Sequence, residues 1–149
     1  MKWLLVLLTM LSLSACAGWN PDDDDGTPRT APAQVGVVNH TGNYIYSASV
    51  DGAGGGNMDR WGAGGASVCC ASIPRVWYPG MKVSVRWDMP DGHTHNVKEK
   101  IVEVEKYDET GSIYLHFFPD DVVRVVVSPV GPRSPKHPIA PPVKPANAK

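Results

Sequence analysis

The chain has 149 residues, with 14 Lys and Arg against 15 Asp and Glu and a formal net charge of −1. That length suits one small domain, and the near-neutral balance argues against a dedicated nucleic-acid binder, whose footprint is a basic excess. With 15 Gly and 14 Pro, much of the chain reads as turn and loop. No internal apolar run approaches the ~20 residues that a spanning helix needs.

Residues 1–15 read as a signal peptide: Lys2, then a short apolar core through Leu13, then small residues. Leu13-Ser14-Ala15-Cys16 resembles the lipobox of bacterial lipoproteins. That resemblance implies diacylglycerol on the Cys16 sulfur, cleavage before Cys16 and acylation of the new amino group. Acyl chains at ~0.8 kcal/mol per buried CH₂ give a stable anchor. Ala17 stands where lipoproteins kept at the inner membrane carry Asp. By analogy, the expected address is the periplasmic face of the outer membrane.

Residues 16–34 read as the lipidated Cys followed by a flexible acidic tether with a reach of roughly 25 Å. Asp22–Asp25 lack the spaced oxygen ligands and turn Gly of a calcium loop.

Residues 35–128 read as a single β domain, because apolar residues recur with period two. Tyr44, Tyr46, Ala48 and Val50 alternate with Asn43, Ser47 and Ser49, broken by Ile45. Met81, Val83, Val85 and Trp87 share one face, as do Ile113, Leu115 and Phe117, and Val123, Val125 and Val127. Residues 97–106 fit a helix through Val97, Ile101 and Val104, or a strand through Val102 and Val104. β-Branched content and the Asp108-Glu109-Thr110-Gly111 turn favour a hairpin into Ser112–Phe118. The expected fold class is all-β, a small antiparallel β-sandwich or open barrel. Residues 129–149 read as a disordered Pro-rich basic tail, with Arg133, Lys136, Lys144 and Lys149 and no acid.

Two Gly clusters, 52–56 and 62–65, flank Arg60 and Trp61. They lack the Gly-Lys-Ser/Thr of a phosphate loop and read as a long surface loop. Arg60 and Trp61 are candidate partner-binding residues, since those types dominate interface energetics. His93 and His95 are two apart on an extended segment, a chelating geometry without the third and fourth ligands that zinc requires; His40, His116 and the cysteines complete a set only if folding brings them together. No cofactor or metal set is expected. No nucleophile elbow and no His-Glu-x-x-His occurs, so a binding protein is expected rather than an enzyme. Once Cys16 carries lipid, Cys69 and Cys70 are the only thiols left in an oxidising compartment. Two readings stand for them: a vicinal disulfide, or two small core residues on opposite faces of a strand.

Val38-Asn39-His40-Thr41, Val50-Asp51-Gly52, the paired Gly clusters, Val68-Cys69-Cys70, Ile73-Pro74, Trp77-Tyr78-Pro79-Gly80-Met81 and Leu115-His116-Phe117-Phe118-Pro119 together resemble a bacterial lipoprotein family labelled domain of unknown function 3304. The resemblance spans roughly residues 36–128. The segment between Trp87 and Ser112 is shorter than in other members and their late cysteines are absent, so no disulfide elsewhere is implied. The family brings no established catalytic residues. Members are encoded near secreted lipase-type effectors, which implies an immunity protein that binds an incoming toxin in the periplasm. The rival readings are an envelope-assembly lipoprotein and, behind it, a metal- or redox-active protein built on His93 and His95 or Cys69 and Cys70.

Overall fold

The computed structural model describes residues 29–148. The expected signal peptide, Cys16 and the tether up to residue 28 lie outside the described residues. Eight strands follow in order: β1 (Thr30–Asn39), β2 (Ile45–Val50), β3 (Ala53–Met58), β4 (Val68–Pro74), β5 (Lys82–Asp88), β6 (Val97–Glu103), β7 (Ser112–Phe117) and β8 (Val123–Ser128). They form two four-stranded sheets, ordered β4-β1-β7-β8 and β3-β2-β5-β6. Every neighbouring pair is antiparallel except β1 and β7, which run parallel. The architecture is the expected all-β one: two sheets face to face, with no closed barrel. Residues 97–106 resolve as strand, not helix.

The inner faces meet on Val35, Val37, Ile45, Val50, Val83, Val85, Trp87, Ile113, Leu115, Phe117, Val125 and Val127. Trp87 and Phe117 lie with ring centroids 5.5 Å apart. The period-two reading of Met81–Trp87 and of the last two strands matches this core. Along β2 the expected phase differs. Ile45, Ala48 and Val50 are buried while Tyr44 and Tyr46 are exposed. A register irregularity against β3 between Ile45 and Ala48 shifts the face once, as a bulge does.

Three further expectations are corrected. The first Gly cluster is not a loop: Asp51 and Gly52, at φ 48° and 78°, make a two-residue hairpin turn between β2 and β3. Both positions sit in the left-handed region that a type I′ turn demands. Glycines then keep β3 close to the opposite sheet; a Cβ on Gly54 would stand 3.0 Å from the Val35 side chain. The expected 97–118 hairpin does not form either, since β6 and β7 belong to different sheets. Val104 instead bridges to Val125 of β8, and the Tyr107 hydroxyl donates to the Pro74 carbonyl.

The third correction concerns the domain limits. The strand begins at Thr30, not at residue 35, with Ala31 and Ala33 buried against β4. The Pro-rich segment after Ser128 lies across the outer face of the β4-β1-β7-β8 sheet. There Ile139 joins Val38, Ala63, Tyr114 and Val126 in a second apolar cluster, and His137 is buried. Arg133 Nε donates to the Ala63 carbonyl at 3.1 Å. This strap is why residues 113–117 of β7 are buried without alternation: a strand covered on both faces reads as a continuous run.

The register gives the molecule two ends. At the proximal one, Thr30, where the described chain begins, pairs with Pro74, and Lys82 pairs with Glu103. At the distal one, some 30 Å along β1 by the ~3.3 Å rise per residue, Asn39 pairs with Phe117, Ile45 with Met58, Asp88 with Val97 and Phe117 with Val123.

Candidate functional site

The distal end collects the chemically capable side chains. Its hub is Asn39, fully buried at the end of β1. The Asn39 amide donates to the Asn43 carbonyl at 2.7 Å and the Asp59 carbonyl at 3.1 Å; its Oδ1 accepts from the Thr41 backbone N–H at 3.0 Å and the Thr41 hydroxyl at 2.8 Å. One side chain therefore ties the β1–β2 loop to the β3–β4 loop. The Trp61 backbone N–H adds a bond to the Thr41 carbonyl at 3.1 Å.

Arg60 and Trp61 stand on this loop pair. Arg60 is exposed and Trp61 half-buried. The indole lies beside Gly42, and its N–H is buried without a partner. Trp61 also holds φ 55°, a left-handed conformation that an L side chain rarely adopts. A residue kept in such a pose, with an orphaned donor, is fixed by its surroundings more than by its own preference.

Beside it three imidazoles join hands. His40 Nε2 meets His116 Nδ1 at 3.0 Å, and His116 Nε2 meets His137 Nε2 at 3.0 Å. His137 Nδ1 reaches the Val130 carbonyl at 3.1 Å. The carbonyl only accepts, so His137 Nδ1 carries its proton. With every ring neutral, His116 Nε2–H then donates to His137, and His40 Nε2–H donates to His116. The chain has one direction, and it leaves His40 Nδ1 as the terminal acceptor. His40 stacks on Phe118 with centroids 4.1 Å apart. His116 is 0% exposed. Burial pushes its pKa down to about 3, helped by the charges His137, His40 and Arg124 would set against it. Burial, then Arg124, lowers His40 as well.

His95 is placed differently. The Asp88 carboxylate, 4% exposed, accepts from His95 Nδ1 and, at 2.9 Å, from the Asn96 N–H. Burial alone would raise the Asp88 carboxyl. The His95 and Asn96 hydrogen bonds outweigh it, with the His95 and Arg86 charges, and hold the carboxyl below its usual range. Tyr46 sits edge-on to the His95 ring at 5.2 Å. His93 is exposed on the Asp91–Thr94 turn, and no bond joins it to His95. Of the two histidines read as a chelating pair, folding gives His95 to Asp88 and leaves His93 on the exposed turn. It joins His40 and His116, with His137 as an unforeseen third. Among the described residues no three His, Cys, Asp or Glu side chains converge as a metal set. In the triad every ring nitrogen except His40 Nδ1 already has a partner.

Cys69 and Cys70 lie away from this end, on β4, joined by a disulfide across a cis peptide bond. Between the Ala33–Ala71 and Val35–Val68 pairs, both cysteines face the single residue Gln34, a bulge of one residue on an edge strand.

Sequence reasoning missed Asn39, His137 and Asp88 as site residues. Asp88 ends an alternating strand with His95 seven positions on, a spacing that only a turn can bring together. His137 was hidden by its Pro-rich surroundings, although Ile139 nearby was an apolar signal.

A family model described as Protein of unknown function (DUF3304) matches residues 38–125. No curated protein and no solved structure matches the chain.

Proposed function

The chain belongs to the DUF3304 family, and from that premise we propose a lipid-anchored protein of the bacterial cell envelope that binds a protein partner through its distal end. The resemblance of Leu13-Ser14-Ala15-Cys16 to a lipobox supports an anchor at Cys16, and the periplasmic face of the outer membrane is the proposed site. One observation carries the reading. Arg60, Trp61, Tyr44, Tyr46, His40 and His95 all sit at the end opposite Thr30, where the described chain comes in. Loops on a rigid sheet commonly carry recognition, and Arg and aromatic residues dominate interface energy. The partner class we propose is a secreted lipase-type effector, with this protein acting in immunity by capture and not by catalysis.

The test is purification of the tagged lipoprotein from envelopes of cells exposed to such effectors. A lipase-type protein should accompany the wild type and be lost from an Arg60→Ala, Trp61→Ala double variant. Cell-wall synthesis proteins in its place would support the envelope-assembly reading instead.

A further inference from the structure

We propose that the proximal end is a lipid-facing surface: the 75–80 loop sets Val76 and Tyr78 against the head-group region of the membrane that holds the anchor. The proposal extends the reading above and rests on its anchor at Cys16.

Val76 is 79% exposed and Tyr78 53% exposed. Trp77 between them does the reverse. It packs on the main core, and its indole N–H donates to the Val104 carbonyl at 2.9 Å. The loop is therefore pinned at its middle residue, with its two apolar neighbours held outward. An apolar pair fixed in that pose cannot turn inward to escape water, and a membrane interface relieves it. Tyrosine suits that depth, with an apolar ring and a polar tip.

The Arg75 backbone N–H donates to the Arg29 carbonyl at 3.0 Å, which ties the foot of the loop to the residue where the described chain begins.

Position supplies the second argument. Arg29 opens the described residues, so the tether to Cys16 leaves from this same end. A flexible chain of the expected tether's length has a root-mean-square reach of roughly 20 Å. It keeps this end at a high effective concentration at the membrane, where a weak contact is populated. Contact here directs the distal loops away from the lipid.

The full chain is tested with a benzoylphenylalanine photocrosslinker at Tyr78, or at the exposed distal Tyr46 as control, irradiated in native envelopes. Lipid adducts at 78 and not at 46 are expected. Adducts to protein or peptidoglycan at 78, or equal lipid adducts at both positions, overturn the proposal. Intact mass of the same samples reads acylation at Cys16 separately, so the anchor reading fails on its own evidence. Flotation of the unacylated Cys16→Ala full chain then decides the surface alone. It should bind phosphatidylglycerol-containing vesicles, and a Val76→Glu, Tyr78→Ser variant should bind about tenfold less. Equal binding by both chains, or none by the first, overturns the proposal. Circular dichroism confirms that the variant is folded.

Discussion

His116 is a buried imidazole that must stay neutral, and that makes acid a specific stress. Its folded pKa of about 3 lies below the ordinary 6.5. Below pH 6.5 the unfolded chain takes up a proton that the folded chain refuses until about pH 3. Stability is therefore full above that window and falls as pH drops through it, by about 1.4 kcal/mol per unit for one such group. His40, also lowered, adds to the loss. Denaturant unfolding between pH 7 and 5 should show this slope, and His116→Gln should flatten it. A slope unchanged in the variant would remove His116 as the cause. Asn39 makes a second test at this scale. Asn39→Ala removes four hydrogen bonds and leaves the Asp59 carbonyl and the Thr41 N–H without their partner, at a cost of about 2–4 kcal/mol. Thermal unfolding reads the cost, and hydrogen exchange should rise in residues 40–46 and 58–62 together. Trp61→Ala keeps the backbone bond to Thr41 and should stay folded while weakening partner capture by more than ~1 kcal/mol. Simple unfolding would return Trp61 to a purely structural role.

Among the elements, the strap after Ser128 behaves least like its composition. Prolines, lysines and the absence of acids describe a solvated tail, and period-two reasoning has nothing to say about irregular chain. Yet Ile139, 6% exposed, and His137 close the outer face over Tyr114 and Val126. Ile139→Ala should destabilise by about 2 kcal/mol or more. Limited proteolysis should cut beyond residue 140 and leave residues 129–139 on the stable fragment. A core ending at 128 would contradict the strap. Strand identity was legible wherever alternation was clean, as along Met81–Trp87, because one face meets the core and the other meets water. It failed where a bulge shifts the phase at Tyr46, and where Gly54 acts by lacking a side chain. The Asp51-Gly52 turn carried a readable hairpin signal, hidden inside a run that resembled a loop. Arg60 and Trp61 were legible as residue types, and their neighbours became visible only once β1, β3 and β7 ended together. The edge strand β6 shows a further device. Lys98 Nζ binds both Asp121 carboxylate oxygens at 2.7 Å, and Lys100 reaches the Asp121 carbonyl. Charged groups on that edge discourage pairing with another chain.

At the scale of the whole molecule, the two ends divide the labour. The proximal end receives the chain from the proposed anchor, and the distal end presents His40, Arg60, Trp61, Tyr46 and His95 about 30 Å away by strand rise. The sheets between them form a spacer whose core and strap keep the loops in fixed relation. The most direct test is a hydrogen-exchange footprint of the full chain with its captured partner. Protection should gather in residues 39–46, 58–62 and 93–96, with the 75–80 loop unchanged. Protection centred on the proximal loop, with the distal segments exchanging freely, would contradict the account.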